Sequence, residues 1–361
     1  MKQLLPLLNV NGLAQSPRIS ASERSPVDTG TVFFGGGLRM AKEEITLEAL
    51  DTSEFIKTQV EAIRKTVGSE IAINALSGGV DSSVVTMLAH KALGDQLKSY
   101  FVQNGLMREG EAEQIVGWFA DLGVKVEVVD ERDKFFAALK GVTDPEEKRE
   151  KGITQVFYKD VFAKLVKESG AKVLLQGTNY TDIEETAAGV KRQHNVFEQI
   201  GIDPEAAFGY KVLEPIIELR KPGVREVARA LGLPKELSER PPFPGPALCA
   251  RVIGEVTPER IETVRKATTI VEEELQNTGA FQYMAILHED MVTGVRNGKR
   301  DFGQQIEVRC WESDDAVTAK PTDLPFEKLT RIADRLVTKV PGVVSVTYNI
   351  TSKPPSCIEA V

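Results

Sequence analysis

The 361-residue sequence is poor in the groups that build metal clusters and nucleophilic relays. It has three histidines (His90, His194 and His288), too few for a His-rich metal site. Its three cysteines, Cys249, Cys310 and Cys357, are scattered, odd in number and without a CxxC pair. That fits a reducing compartment and argues against a disulfide framework or a zinc cluster. No apolar run reaches the ~18 residues needed to span a bilayer. Excess positive charge is missing as well. A formal charge of −8 argues against bulk binding to nucleic acid or an anionic membrane. What remains, 42% apolar and 27% charged, is the balance of a globular chain, expected to be cytoplasmic.

Regular patterning is also absent at the start. Residues 1–42 are rich in Ser, Pro and Gly, with an apolar stretch broken by Pro6 and Asn9. They are expected to be disordered or a mis-assigned leader, with Met40 an alternative start. From 43 to about 240 the pattern becomes regular. Asp51 or Thr52 can cap a helix carrying Phe55, Val60, Ile63 and Val67 on one face. Short apolar runs at 71–76, 98–102, 124–129 and 172–176 read as buried strands, separated by helical stretches such as Ser82–Leu93 and Glu109–Leu122. This alternation predicts an α/β fold, a doubly wound and mainly parallel sheet, with ligands bound beyond the carboxyl ends of the strands.

A proline-rich block at 239–255 interrupts the alternation, since it suits neither helix nor central strand. Beyond it, 241–361 reads as a smaller α+β domain. Its expected elements are a helix at about 258–276, a strand at 282–287, a hairpin turning at Asn297-Gly298, a helix at about 325–339 and a strand at 343–350. The charged run at 146–150 is expected to be a solvated helix face.

The most informative stretch follows the first strand and reads Ser77-Gly78-Gly79-Val80-Asp81-Ser82-Ser83. Glycines between a strand and a helix let backbone N–H groups approach an anion, and the helix start adds unpaired donors. Ser77, Ser82 and Ser83 offer hydroxyls. The stretch lacks the lysine of a Walker A loop. Asp81 among such donors suits a Mg²⁺ ion that neutralises a departing pyrophosphate. A plain helix cap at Asp81 or Ser82 is the simpler alternative.

This stretch resembles the SGGxDS signature of the PP-loop ATP pyrophosphatase family. Members cleave ATP between the α- and β-phosphates and adenylate a carbonyl oxygen, after which a nucleophile displaces AMP. The segments "GVTDPEEKRE", "QGTNYTDIEET", "KRQHNV", "LEPIIELRKPGVREVARALGLP", "RPPFPGPALCARVIGE" and "SKPPSCIEA" are similar, in order, to the synthetase half of the GMP synthases. The resemblance implies ATP as substrate with Mg²⁺ and no tightly bound organic cofactor, with XMP aminated to GMP through an adenylyl-XMP intermediate. It assigns ATP and pyrophosphate contacts to residues 77–83 and to Gln176, Gly177 and Thr178, with Asp182 and Glu185 lining the ATP side. Asp81 would hold the metal. Lys191, with His194 and Asn195, would lie on a lid loop. Arg251, Lys353, Ile358 and Glu359 would bind the acceptor, and Asp81, Lys191 and Lys353 would be catalytic. No glutaminase nucleophile is present in residues 1–50, so ammonia would be free or come from a separate glutamine amidotransferase chain. A homodimer is implied by the carboxyl-terminal part.

The sequence departs from that family at Gln103, where an acid is usual, at Pro241, where a histidine is usual, at Ala247, where a glycine is usual, and across 286–290. These changes leave open a related enzyme that adenylates a different carbonyl acceptor. A non-catalytic nucleotide binder is the remaining alternative.

Overall fold

The first helix shows how local sequence sets the architecture. In the computed structural model, Asp51 accepts hydrogen bonds from the backbone of Ser53 and Glu54, each at 3.0 Å, and starts α1 (Thr52–Val67). Phe55, Ile63 and Val67 are buried from this helix along with Gln59, whereas Val60 is half-buried. The structure describes residues 43–187, 210–241, 243–313 and 317–360, and residues 43–361 form one compact unit. Residues 1–42, with the alternative start at Met40, lie outside the described part.

Five strands build a fully parallel sheet: β1 (Ala72–Leu76), β2 (Leu97–Gln103), β3 (Val126–Asp130), β4 (Val173–Leu175) and β5 (Lys211–Leu213). Their order is β3-β2-β1-β4-β5. The chain thus winds outward from β1 in one direction, then returns to place β4 on its other flank. The gap between β1 and β4 is therefore the topological switch point, where a crevice opens beyond the carboxyl ends. The short fifth strand was not foreseen in the sequence; three residues give too little periodicity to read. The connecting helices are α2 (Val80–Leu93), α3 (Glu111–Asp121), α4 (Arg132–Leu139), α5 (Pro145–Arg149), α6 (Ala163–Ser169), α7 (Tyr180–Ala187), α8 (Lys221–Ala230) and α9 (Lys235–Ser238). Asn74 is buried in β1 but fully used: it donates to Thr86 Oγ1 of α2 at 2.5 Å and accepts from Ser99 of β2 at 2.7 Å. This pins α2 over the sheet.

After the proline block, α10 (Pro258–Leu275) leads into a long ribbon of β6 (Gln282–Arg296) and β7 (Lys299–Glu312). β8 (Lys320–Pro321) pairs antiparallel with β7, and β9 (Val343–Tyr348) runs parallel to it after α11 (Phe326–Lys339). The expected strand at 282–287 and the expected hairpin prove to be one ribbon. Pairing shifts between Leu287 and Met291 and then resumes, so polar His288, Glu289 and Asp290 interrupt the sequence alternation without ending the strand. The turn is as expected, with Asn297 at φ 53° and Gly298 at φ 74°. The loop after β2 joins the second half by direct contacts: Leu248 N–H donates to Leu106 O at 2.9 Å, and Arg265 Nε of α10 to Met107 O at 2.9 Å.

One expectation needs correction. The charged run at 146–150 is not wholly solvated, because Lys148 is 2% exposed and its ammonium donates to Val252 O at 2.7 Å. The carbonyl it satisfies lies near the end of the proline-rich block, so this lysine fastens α5 to the chain that leads into the second half. Among the described residues, no helix is long and apolar enough to cross a membrane.

Candidate nucleotide site

The turn after β1 sits at the switch point. Gly78 adopts φ +78°, which a side chain would resist, and a Cβ there would collide with the Glu111 carboxylate. Ser82 Oγ accepts from Ser77 N–H at 3.2 Å, lies 3.1 Å from Ser77 Oγ and donates to Gly79 O at 3.1 Å. Ser77 and Ser82 therefore share the mouth of the loop. Ser83 is turned inward instead: it is fully buried and donates to Gly79 O at 2.8 Å, so it shapes the turn. Val80, also buried, opens α2, whose first amides face the same mouth.

The second loop arrives from β4. Gly177 packs so closely on the first loop that a Cβ would stand 3.1 Å from Ser82 N and 3.2 Å from the Asp81 carbonyl carbon. Gln176 and Thr178, both buried, flank it. Sequence reasoning grouped these two loops, and the sheet order brings them together. Asp182 takes a capping position: its carboxylate accepts from Asn179 N–H at 3.0 Å, while Asn179 Oδ1 accepts from Asp182 N–H at 3.2 Å. Glu185 lies in α7, but its side chain is outside the described part, as are Lys191, His194 and Asn195.

Asp81 has one oxygen ion-paired with Lys221, the first residue of α8. Its other oxygen is buried without a hydrogen-bond partner. An orphaned carboxylate oxygen at an anion loop fits Mg²⁺, which takes one or two protein carboxylates and completes its shell with phosphate and water. No cluster of three or more His, Cys, Asp or Glu residues suited to a metal exists among the described residues.

Behind the loop lies a charged floor that the sequence did not announce. Arg240, next to the prolines, donates to Gly78 O at 3.1 Å and to Glu111 Oε1 at 2.7 Å. Burial pushes the Arg240 pKa down, Arg108 adds to that, and Glu111 opposes both. Arg108 binds Glu272 through Nε at 2.7 and 3.0 Å, and its guanidinium lies 3.9 Å from the Phe243 ring centre. Arg251 shares the same ring at 4.7 Å. A cleft of about 270 Å³, lined in part by Arg108, Arg240, Glu272 and Tyr283, opens beside this floor.

The expected acceptor residues come together less openly. Arg251 is completely buried, and burial drives its pKa down. Its Nε is 3.8 Å from Glu359, which also accepts from Gln282 at 2.7 Å. The structure thus turns the two toward each other. Ile358 packs with Met284, Ile286, Trp311 and Ala319. Lys353 is half-buried, and its backbone exchanges hydrogen bonds with Ala319 at 2.8 and 3.0 Å. Two residues missed by sequence reasoning fix this tail. Arg309 donates to Cys357 O at 2.8 Å and Ile358 O at 3.2 Å, and Glu307 accepts from Arg309 Nε at 2.5 Å. Nothing in the pattern marks them, since both read as members of a polar-apolar strand. Lys221 was missed because its partner is 140 positions away.

A doubly wound sheet with a glycine–serine anion loop at its switch point defines a nucleotide-binding α/β protein. The loop itself belongs to the PP-loop type. Residues 61–179 match the Asparagine synthase family model, and residues 269–360 match the model described as GMP synthase C terminal domain. The chain is 49% identical over 310 residues to the B-type subunit of the glutamine-hydrolyzing GMP synthase from Archaeoglobus fulgidus, covering 86% of this chain and 99% of that protein. It is 46% identical over 314 residues to the same subunit from Methanothermobacter thermautotrophicus, and 47% over 313 residues to that from Pyrococcus horikoshii, with the same coverages. The chain belongs to this family of GMP synthase subunits. Among solved structures, NMN synthetase from Francisella tularensis overlaps 55% of this chain and 78% of its own at 16% identity and a TM-score of 0.43, too slight a likeness to carry an argument.

Proposed function

We propose that the chain converts XMP to GMP with ATP and ammonia, releasing AMP and pyrophosphate. The reading rests on one observation above all. A loop of glycine amides and two mouth-facing serines, Ser77 and Ser82, sits at the switch point with Gly177 pressed against it. The C2 oxygen of XMP attacks the α-phosphorus of ATP and expels pyrophosphate; ammonia then attacks C2 and AMP departs. In this reading the residues of the Ser77–Ser83 loop hold the departing pyrophosphate, and residues 176–178 shape the ATP side. Asp81 would hold Mg²⁺, which when bound neutralises pyrophosphate charge. Lys221, already on Asp81, stands ready to hold the other side of that carboxylate. Oriented donors and positive charge matter more here than proton relays, because the chemistry develops charge on phosphate oxygens.

On the acceptor side, Arg251, Lys353, Ile358 and Glu359 are assigned to XMP, and Lys191 to the lid. Ammonia comes from solution or from a separate glutamine amidotransferase chain, in keeping with the relatives being named as one subunit of a glutamine-hydrolyzing enzyme. A homodimer is supported by an apolar row on the long ribbon, where Met291, Val295 and Phe302 are exposed. Phe302 pairs with Thr293, which places all three on one face.

The test is purified protein with ATP, Mg²⁺ and ammonium, with and without XMP, following AMP, pyrophosphate and GMP. GMP formed in step with AMP supports the reading. AMP release that ignores XMP refutes the acceptor, and ATP binding without turnover refutes catalysis.

A further inference from the structure

The Gly78 carbonyl is the part of the anion loop that is gripped from outside. Arg240 Nη1 spans it and Glu111 Oε1 at 3.1 and 2.7 Å. Glu111 is itself fixed: it is 2% exposed, and its second oxygen accepts from Arg108 N–H at 3.0 Å. Gly78 is held in a left-handed conformation and has no space for a side chain on the Glu111 side. The 78–79 peptide is therefore constrained at both its torsion and its oxygen.

A trans peptide is planar, so holding its C=O on one side aims its N–H to the other. Gly79 N–H points to Ser77 Oγ, 3.4 Å away, and Ser77 meets Ser82 at 3.1 Å. The amide is thus directed to the side where the loop's hydroxyls gather. The geometry points to Arg240, locked by Glu111, as a positioning residue for the anion loop. It sets the direction of the Gly79 amide and so the affinity for pyrophosphate, without touching the anion. This rests on the reading of the loop as a pyrophosphate site.

An arginine suits the role because the two N–H directions of Nη1 are fixed by the guanidinium plane, whereas the ammonium of lysine rotates freely. A plain pin between the proline block and α3 would use the same contacts, but it would alter stability and leave anion affinity alone. Affinity and stability must therefore be read separately. Arg240→Met alone leaves Glu111 buried without its counter-ion and endangers the fold. The double variant Glu111→Gln/Arg240→Met removes both charges and keeps the shape, and Arg240→Lys keeps the charge against Glu111.

Inorganic pyrophosphate with Mg²⁺ is titrated calorimetrically into each protein, and thermal midpoints are recorded alongside. The double variant should melt near the wild type yet bind pyrophosphate roughly 10- to 100-fold more weakly, the effect of a lost charge-assisted hydrogen bond. Arg240→Lys should fall between the two. Wild-type affinity in the double variant, or in Arg240→Lys should the double variant not fold, overturns the assignment and leaves Arg240 a pin. A wild-type protein that takes up no pyrophosphate rejects the site itself, and the positioning role with it.

Discussion

Glu307→Gln tests the hold on the carboxyl-terminal tail. Glu307 is 8% exposed, and burial alone would raise its pKa. His288 at 2.8 Å, Asn349 at 2.9 Å and Arg309 at 2.5 Å outweigh burial and hold the carboxyl at about 2, against 4.5 for an unfolded chain. That difference corresponds to about 3 kcal/mol of stability. Because the folded pKa is depressed, the contribution is complete well above pH 4.5 and is lost as pH falls toward 2. About 1 kcal/mol is already gone by pH 4. The glutamine variant has no such proton to bind, so the gap to wild type should be about 3 kcal/mol at pH 7 and narrow as pH falls. In thermal scans the pH 7 gap is on the order of 6–10 °C. Arg309 loses its carboxylate in the variant, so its grip on the Cys357 and Ile358 carbonyls loosens and the KM for the acceptor should rise more than that for ATP. Urea unfolding at pH 7, 5 and 4 reads the first effect. A gap that stays constant with pH refutes the assignment of that stability to the Glu307 charge.

Gly177→Ala should strain the contact between the two loops, costing about 1–3 kcal/mol or raising the KM for ATP as the first loop yields. Unchanged melting together with unchanged ATP kinetics would show that the loops do not rest on each other. Asp81→Ala should abolish pyrophosphate release while moving stability by no more than about 1 kcal/mol, since its partner Lys221 is 45% exposed; wild-type turnover in this variant removes Asp81 from the site. Ala247→Gly should leave stability within about 1 kcal/mol of wild type, because relief of the left-handed strain at φ 57° is offset by the lost methyl contact and the looser unfolded chain. A loss above about 3 kcal/mol by chemical denaturation would show that the strain account is wrong.

The sheet and its loops were legible because their signals are local. Strand β1, the glycine turn and α2 follow one another in sequence, and the βαβ rule places the turn at the carboxyl edge. The pairing of residues 176–178 with that turn followed from the same rule. The charged floor was not legible, since Glu111, Arg240 and Arg108 meet across separations of 129 and 3 residues and each reads alone as an ordinary surface charge. Burial of Lys148 was hidden for the same reason. Ala247 illustrates a departure that sequence could notice but not weigh. The backbone there is left-handed, which accounts for the glycine usual in the family, and alanine brings only a single methyl group to that strained position.

The absence of lysine from the anion loop acquires a physical meaning from what surrounds it. Among the described residues, the cations that touch the loop, Lys221 and Arg240, come from elsewhere in the chain, and each is matched to a carboxylate, Asp81 or Glu111. On the reading of the loop as a pyrophosphate site, with both of these cations already paired, the loop itself offers an anion aimed amides, hydroxyls and the α2 terminus. An extra unpaired cation about 4 Å from one phosphate charge would add ~4 kcal/mol at an effective dielectric of 20. That is nearly a thousandfold in residence time if it falls on dissociation. A reaction that must discard pyrophosphate at every turnover is better served by oriented neutral donors, which hold the group while ATP is cut and let it leave afterwards.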